Sequence, residues 1–232
     1  MAEEIAYLYR IDHDDGTTQV LDIRLDPRSL NHTLDLGPPP PWSLRREFGC
    51  VNPSCPLREE EVCPCAQVVQ HLLNLFGDVR STRMVTITAT TRQRTSIKRT
   101  AIQTAVSSIA GILMATCGCP VLARFKPMAR FHLPFASLEE TEYRVFTMYA
   151  LAQLIRARHH LDHDCRLLGL KRFYEEIQEI NQLAARKICS IQKKDATING
   201  LVMLDAFAQN VSMVLDTDDL ESMENLFADW LG

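Results

Sequence analysis

The sequence predicts an α+β fold that is mostly α, in which a small N-terminal antiparallel sheet with a cysteine-rich loop packs on about five or six helices. The period of the apolar residues is the first observation that predicts it. Apolar residues alternate near the N-terminus and again after residue 84, whereas after residue 100 they recur at helical spacing. The second observation is composition: 46% hydrophobic and 23% charged residues are typical of a globular chain.

The N-terminal region predicts a β-hairpin. Ile5–Asp12 alternates apolar and polar residues, an Asp15-Gly16 turn follows, and Thr18–Leu25 forms the second strand. The segment Gly37–Pro41 contains one glycine and four prolines, which exclude a helix or a central strand. We expect it to be a stiff extended connector.

The middle of the chain predicts one short helix and a second pair of strands. Ala66–Phe76 has helical spacing, Met84–Thr91 is rich in β-branched residues, and Thr95–Arg99 is expected to pair with it. From Thr100 the period is helical, and this helix is expected to end at the Cys117–Pro120 turn because glycine and proline stop helices there.

The last hundred residues predict helices only. Ser137 and Glu140 have the spacing of a capping box, which opens a helix to about Arg158. Further helices are expected at about Leu167–Ile191, Asp195–Leu215 and Asp218–Leu231. Residues 1–100 would form the β part with its loop at 50–65, and residues 101–232 the helical body, in one continuous domain.

The chain shows no signal for secretion or for a membrane. Its first residues are acidic, and the apolar stretch Ala101–Met114 is interrupted by polar residues well short of the roughly 20 that span a bilayer. We therefore expect a cytoplasmic protein with reduced cysteines. Nucleotide-binding glycine loops and the G-x-S-x-G motif are absent, so the sequence offers no recognisable catalytic motif.

Cysteine placement is the strongest functional signal. Cys50, Cys55, Cys63 and Cys65 fall within sixteen residues, and Cys117 and Cys119 follow much later. Thiols gathered in a cytoplasmic chain favour a metal over disulfides. Irregular spacing and repeated Cys-Pro steps favour an iron–sulfur cluster, with [4Fe–4S] preferred; zinc is the alternative, and metal-free buried thiols are a third interpretation.

The predicted ligands are Cys50, Cys55, Cys63 and Cys119. Cys63 and Cys119 are preferred over their neighbours because each precedes a proline, as Cys55 does. One cysteine of each close pair, Cys63 or Cys65 and Cys117 or Cys119, is expected to face away from the centre, because four thiolates suffice for zinc or a cluster. The substitutes are Cys65 for Cys63 and Cys117 for Cys119. The isolated Cys165 and Cys189 are interpreted as small buried hydrophobes.

Positive charge is concentrated in the middle of the chain. Residues 76–135 contain nine Lys and Arg but one acid, Asp78. Such a region either faces an anion or is neutralised by acidic helices of the same molecule. Arg124, Arg130 and His132 are candidate anion-binding residues because cations alternate with aromatics there. The alternative is a connecting segment whose phenylalanines fill the core.

Two further metal sites are considered. His159 and His163 are four residues apart and would share a helix face that could bind zinc, although a solvated helix end is the preferred interpretation. A di-iron bundle would use carboxylates on long helices, but the Glu-x-x-His spacing is absent. The carboxylates concerned are Glu139, Glu140, Glu175 and Glu176.

Several motifs resemble an uncharacterised family of bacterial proteins. The motifs are Cys55-Pro56-Leu57, Cys63-Pro64-Cys65-Ala66, Gly118-Cys119-Pro120-Val121-Leu122, Arg130-Phe131-His132-Leu133-Pro134-Phe135 and Leu138-Glu139-Glu140-Thr141. In the pattern of that family positions 65 and 117 need not be cysteine, which supports the preferred ligand set. The spacing after Cys50 is longer than in the pattern. The resemblance implies no established activity.

The sequence thus predicts a metal-binding protein with a redox, sensing or structural role. The alternative is a structural-zinc interaction module. Its basic middle would bind an acidic protein or nucleic acid, and its amphipathic C-terminal helix would dock a protein partner. An enzyme that uses the metal near Arg130 and His132 is a third hypothesis, and the oligomeric state has no signal in the sequence.

Overall fold

A computed structural model describes residues 4–164, 166–191, 195–217 and 220–231. These residues confirm the predicted α+β fold, in which an N-terminal sheet is followed by a mainly helical body. Buried side chains of the sheet and of the helices belong to one hydrophobic cluster. The division of the chain at residue 100 stays a prediction.

The sheet has four antiparallel strands in the order β2-β1-β3-β4. The two predicted hairpins are present, and β1 joins them: Tyr9 lies opposite Leu21 on one side and Ala89 on the other. The strands are β1 (Ile5–His13), β2 (Thr18–Leu25), β3 (Met84–Thr90) and β4 (Thr95–Ala101).

One face of the sheet is buried because apolar residues alternate along the strands. In β1 the side chains of Tyr9 and Ile11 are buried while Leu8 and Arg10 are exposed. β4 is an edge strand, and most of its side chains are at least partly exposed. It runs to Ala101, two residues past its predicted end.

Five helices of the described residues are long, and the rest are short. The α-helices are α1 (Arg45–Phe48), α2 (Pro64–Phe76), α3 (Ile102–Ala115), α4 (Lys126–Arg130), α5 (Leu138–Arg158), α6 (Leu168–Ile191), α7 (Ala196–Thr217), α8 (Glu221–Leu226) and α9 (Ala228–Leu231). Two short 3-10 helices cover Pro41–Ser43 and Leu122–Phe125.

α3 is the central helix, and α7 packs directly against it and against α6. The α3 residues Ile102, Ile109 and Ile112 are completely buried. α7 approaches α3 closely at Gly200, where a Cβ would lie 2.6 Å from Cγ1 of Val106. Only glycine permits this separation between the two helices.

α5 begins at the predicted capping box. The Ser137 hydroxyl accepts a hydrogen bond from the Glu140 N–H at 3.1 Å, and the Glu140 carboxylate accepts one from the Ser137 N–H at 2.7 Å. These contacts satisfy two N–H groups that the first turn of a helix leaves without intrahelical partners. The helix ends at Arg158, as predicted.

The C-terminal helix differs from its prediction. It divides into α8 and α9 at Phe227, whose N–H bonds the Glu224 carbonyl in a tight three-residue turn, while its ring stacks on Tyr143 of α5. Packing on α5 thus interrupts the helical period. The predicted first residues, Asp218 and Asp219, lie outside the described residues.

α7 bears on the expectation that no segment spans a membrane. Among the described residues it is the one helix long and apolar enough to cross a bilayer, with a mean hydropathy of 1.3. That test concerns length and composition only, and helices of a protein core pass it too. It packs against α3 and α6, and 22% of its most apolar stretch is buried.

Candidate metal centre

Five of the six clustered cysteines line one small cleft between the loop, the start of α2 and the turn after α3. They are Cys50, Cys55, Cys63, Cys65 and Cys119. The cleft is otherwise lined mainly by apolar side chains and closed on one side by Ile180 of α6. The structure therefore brings together residues nearly seventy positions apart in the chain, and it includes all four predicted ligands.

The first two cysteines lie in a loop that Arg45 holds in place. α1 ends at Gly49, whose φ of +83° is a conformation that favours glycine, and Cys50 follows it. The Arg45 guanidinium donates to the carbonyls of Leu57 at 2.6 Å and of Asn52 at 3.2 Å. These two bonds fix both ends of the segment that contains Cys55.

Cys63 caps the N-terminus of α2. Pro64 occupies the first helical position, where its missing N–H costs nothing. The Cys63 side chain makes no capping hydrogen bond, but the N–H groups of Cys65 and Ala66 lie close enough to influence its sulfur. Burial raises the pKa of Cys63 to about 11, and those two N–H groups lower it in part. N–H groups near the sulfur would stabilise the thiolate form, which a bound metal cation would also favour.

Cys119 repeats this arrangement at the other side of the cleft. Gly118, with a φ of +96°, turns the chain after α3, and Pro120 follows the cysteine. The N–H groups of Val121 and Leu122 face the Cys119 sulfur, while burial raises its pKa. In both Cys-Pro steps the N–H groups of the second and third residues after the cysteine lower the pKa of the thiol and so partly offset burial.

The two substitute cysteines have different surroundings. The Cys117 thiol donates to the Met114 carbonyl at 3.1 Å and accepts a bond from the Cys119 N–H at 3.4 Å. Burial raises the pKa of Cys117 to about 12. Cys65 is almost completely buried within α2, and burial raises its pKa well above the usual value. Cys117 already has partners in its own turn, which favours Cys119 as the ligand.

The thiols are neighbours but are not in a coordinating arrangement. Charges on Cys50 and Cys119 would each raise the pKa of Cys63, which places the three sulfurs within electrostatic reach of one another. Within the described ranges, no three His, Cys, Asp or Glu side chains converge closely enough to hold a metal ion. The cleft volume of about 10 Å³ corresponds to roughly one water-sized sphere.

The chemistry of the cleft follows from these pKa shifts. Buried thiols with raised pKa values are protonated near neutrality, so they are poor nucleophiles and poor redox-exchange groups. A bound cation reverses this preference, because it stabilises the thiolate directly. The cleft contains sulfur ligands and no carboxylate or imidazole, a donor set that suits zinc or an iron–sulfur cluster.

The predicted anion-binding residues have separate partners. Arg124 contacts Glu176 at 3.6 Å and lies over the Phe173 ring, whereas Arg130 lies over the Phe131 ring. His132 bonds Tyr9 instead.

Other cations of the basic middle also meet acids of this chain. Arg83 pairs with Asp15, and Arg99 pairs with Asp14 at 3.0 Å. Both acids lie in the turn between β1 and β2. These ion pairs support neutralisation within the molecule over a free basic surface.

The two other metal hypotheses do not have the required geometry. His159 ends α5 and His163 lies in the following loop, so the pair does not share a helix face, because the helix stops first. Glu140 is occupied by the capping box, and Glu176 faces Arg124. Cys189 is exposed near the end of α6, contrary to its interpretation as buried, and Cys165 lies outside the described residues.

A second cavity has no signal in the local sequence; it is lined by α3, α5, α6 and α7 and by the segment between α3 and α5. Its volume of about 190 Å³ far exceeds that of the thiol cleft, and Arg144 of α5 lines it. Nothing in the local pattern around Arg144 marks it, since isolated arginines on long helices are common. Only the packing of distant helices reveals this site.

Comparison with known proteins identifies the family but no activity. No curated protein and no solved structure matches the chain. A family profile described as "Domain of unknown function (DUF6901)" matches residues 5–228, nearly the whole chain. The protein therefore belongs to the DUF6901 family.

Proposed function

We propose that this protein is a cytoplasmic metal-binding protein in which Cys50, Cys55, Cys63 and Cys119 hold an iron–sulfur cluster, with a redox, sensing or structural role. The observation that carries the proposal is the gathering of these thiols in one cleft from two distant stretches of chain. We further infer that the bacterial family with the same Cys-Pro and Arg-Phe-His-Leu-Pro-Phe motifs is this one.

The two Cys-Pro steps give the proposal its physical support. At Cys63 and Cys119, paired N–H groups face a sulfur that burial otherwise keeps protonated. Such donors are costly to arrange around a neutral thiol and favourable around a thiolate, where each bond is charge-assisted. The reducing cytosol is the compartment in which four such thiols persist without forming disulfides.

The protein's own contribution is to hold and shield the centre. Pro64 and Pro120 stiffen the chain after two ligands, and Arg45 anchors the loop that carries two others. Apolar side chains such as Phe48, Val121 and Ile180 limit solvent access to the cleft. When bound, a cluster would supply one-electron redox chemistry, whose potential depends on hydrogen bonds to sulfur and on exposure.

Structural zinc is the alternative centre, and the size of the cleft favours it. A volume of about 10 Å³ is close to that of a single ion, so zinc requires only that the thiols draw together, whereas a cubane requires the loop to move outward. Zinc with four cysteine ligands would join the loop to the end of α3 and stabilise the fold.

An interaction module is the second candidate function. Trp230 and Leu231 of α9 are 86% and 71% exposed. Large apolar side chains exposed next to each other are a feature of protein-binding surfaces. A protein partner would therefore dock on this helix. Binding of nucleic acid through the basic middle is less favoured, since Arg83, Arg99 and Arg124 have acidic partners.

Metal analysis and a visible spectrum of protein purified without oxygen test the proposal. We expect about four irons and four inorganic sulfides per chain and a brown colour that oxygen bleaches. Cys63→Ser should abolish the colour. Cys189→Ser, which changes an exposed thiol on α6, is the matched control and should keep it.

Two results would contradict the cluster. Colourless protein with one zinc per chain, released by Cys63→Ser but not by Cys189→Ser, would establish the zinc alternative. Protein with neither metal, prepared with iron, sulfide and zinc supplied, would reject a metal centre altogether and leave the interaction module.

A further inference from the structure

The cavity beside α3 is built to enclose a small organic molecule. Its volume of about 190 Å³ is several times the roughly 30 Å³ that one water takes in the liquid. Most lining side chains are apolar and come from distant parts of the chain, as in other helical ligand sites. They include Met114, Leu122, Phe125, Leu133, Ile177 and Phe207.

The charge at the cavity wall is positive. Among the described residues that line it, Arg144 is the only permanently charged one, and none is an aspartate or glutamate. Burial, with a smaller contribution from the neighbouring Arg144 charge, lowers the pKa of His132 to about 3, so this second basic side chain is neutral at physiological pH. A ligand in the cavity therefore meets one cation and no anion.

Arg144 has spare hydrogen-bonding capacity. Its Nη2 donates to the carbonyls of Met128 and Phe131, both at 3.0 Å. Its other nitrogens bond no acceptor in the described part of the chain, and no carboxylate there lies within ion-pair distance. Glu140, one turn earlier, is turned toward the Ser137 N–H instead. A partly buried guanidinium normally has a carboxylate or phosphate partner.

Two further polar groups at the wall lack protein partners. Tyr174 and Asn181, two turns apart on α6, are 4% and 3% exposed and both line the cavity. Across the described ranges neither the Tyr174 hydroxyl nor the Asn181 amide makes a hydrogen bond to protein. Buried polar groups are paired in most structures, so groups left unpaired at a cavity indicate where a ligand or water bonds.

We propose that this cavity binds a small amphipathic carboxylate, with its acid group at Arg144 and its apolar body among the helices. Arg144 supplies a planar fork of donors that matches a carboxylate. Tyr174 donates to the bound acid group or to a water beside it, and Asn181, two turns further along α6, bonds a water in the cavity. This function is independent of the thiol cleft, which different residues line.

Calorimetric titration of the full chain with octanoate, 1-octanol and octylamine tests the proposal. These probes share one chain and differ in the charge of the head group. Octanoate should bind at least about tenfold more tightly than octanol, because a charge-assisted pair with Arg144 is added. Octylamine should bind more weakly than octanol, because its ammonium faces a like charge.

Variants assign the effect to the cavity. Arg144→Gln should weaken octanoate binding about tenfold or more and leave octanol binding nearly unchanged. Arg158→Gln removes an exposed charge at the end of the same helix and should change neither affinity. Tyr174→Phe keeps the aromatic packing and should weaken octanoate several-fold, which a purely structural tyrosine would not do.

A variant that fills the cavity provides the last test. A Cβ at Gly111 would meet only Leu204, at 3.9 Å, so Gly111→Leu places an apolar side chain in the cavity without breaking α3. It should abolish binding of octanoate and octanol alike, with thermal unfolding as the check that the variant folds. The proposal is overturned by octanoate binding no tighter than octanol, by unchanged affinity in Arg144→Gln, or by undiminished binding in folded Gly111→Leu.

Discussion

The hydroxyl of Tyr9 lies 2.6 Å from Nε2 of His132, which ties the middle of the sheet to the segment between α4 and α5. Ser108 of α3 completes the triangle, at 2.8 Å from the Tyr9 hydroxyl and 3.2 Å from His132 Nε2. The Tyr7 ring meets His132 edge-on. A histidine in these surroundings is held neutral, so the network joins strand, helix and loop without a buried charge.

Acid should destabilise the protein through His132. Its folded-state pKa is lowered to about 3, whereas the unfolded chain takes up a proton near pH 6.5. The unfolded state therefore binds more protons between these values, and the free energy of unfolding falls by up to about 1.4 kcal/mol per pH unit as pH drops below about 6.5. Chemical unfolding at a series of pH values measures this slope.

The His132→Gln variant isolates this contribution. Its free energy of unfolding should fall less steeply than that of the original protein between pH 6.5 and 5, and the two profiles should run parallel above pH 7. Equal slopes in both proteins would show that His132 does not carry the acid sensitivity.

Two glycines of the helix core should respond in opposite ways to alanine. A Cβ at Gly111 meets only Leu204 at 3.9 Å, so Gly111→Ala should stabilise the protein by about 0.5–1 kcal/mol through helix propensity. A Cβ at Gly200 would overlap Val106, so Gly200→Ala should destabilise by about 1–3 kcal/mol. Denaturant unfolding compares them, and equal effects would contradict the close approach of α7 to α3.

The capping box should contribute measurably to the stability of α5. Ser137→Ala removes the acceptor for the Glu140 N–H and should cost about 1 kcal/mol of unfolding free energy. Ser190→Ala, at an exposed hydroxyl that bonds the Lys187 carbonyl near the end of α6, should change it by less than about 0.5 kcal/mol. If Ser137→Ala lowered the unfolding free energy no more than Ser190→Ala, the capping box would not stabilise α5.

The turn after α3 should distinguish its two cysteines. Cys119→Ala removes a sulfur that lines the cleft, and metal content should fall to near zero. Cys117→Ala removes a thiol that already bonds the Met114 carbonyl, and metal content should stay near that of the original protein. Metal analysis of both variants checks this. Loss in Cys117→Ala with retention in Cys119→Ala would reverse the assignment of the ligand.

Local patterns predicted most elements because each depends on neighbours in sequence. The period of the apolar residues predicted both hairpins and α3, and the spacing of Ser137 and Glu140 predicted the start of α5. The pairing of β1 with β3 had no such signal, since any alternating strand satisfies the same pattern. The split at Phe227 was missed for the same reason, because it depends on Tyr143 of another helix.

Of the two candidate sites, the sequence predicted the thiol cleft but not the larger cavity. Cysteine and proline are rare enough that their spacing predicted a shared cleft, and burial and N–H direction then favour Cys63 and Cys119. The larger cavity could not be predicted. Its specificity depends on one arginine and on two unpaired polar groups, whose residue types are unremarkable until the helices assemble around them.

The outer edge of the sheet has a consequence for behaviour at high concentration. β4 ends the sheet and presents Lys98 beside the exposed Ile97, whereas the neighbouring Arg99 is paired with Asp14. A second molecule that approached edge to edge would bring the two Lys98 charges to the new ladder, which opposes growth of an extended sheet. Neutralising Lys98 should therefore lower the concentration at which the protein aggregates, even where its folded structure is unchanged.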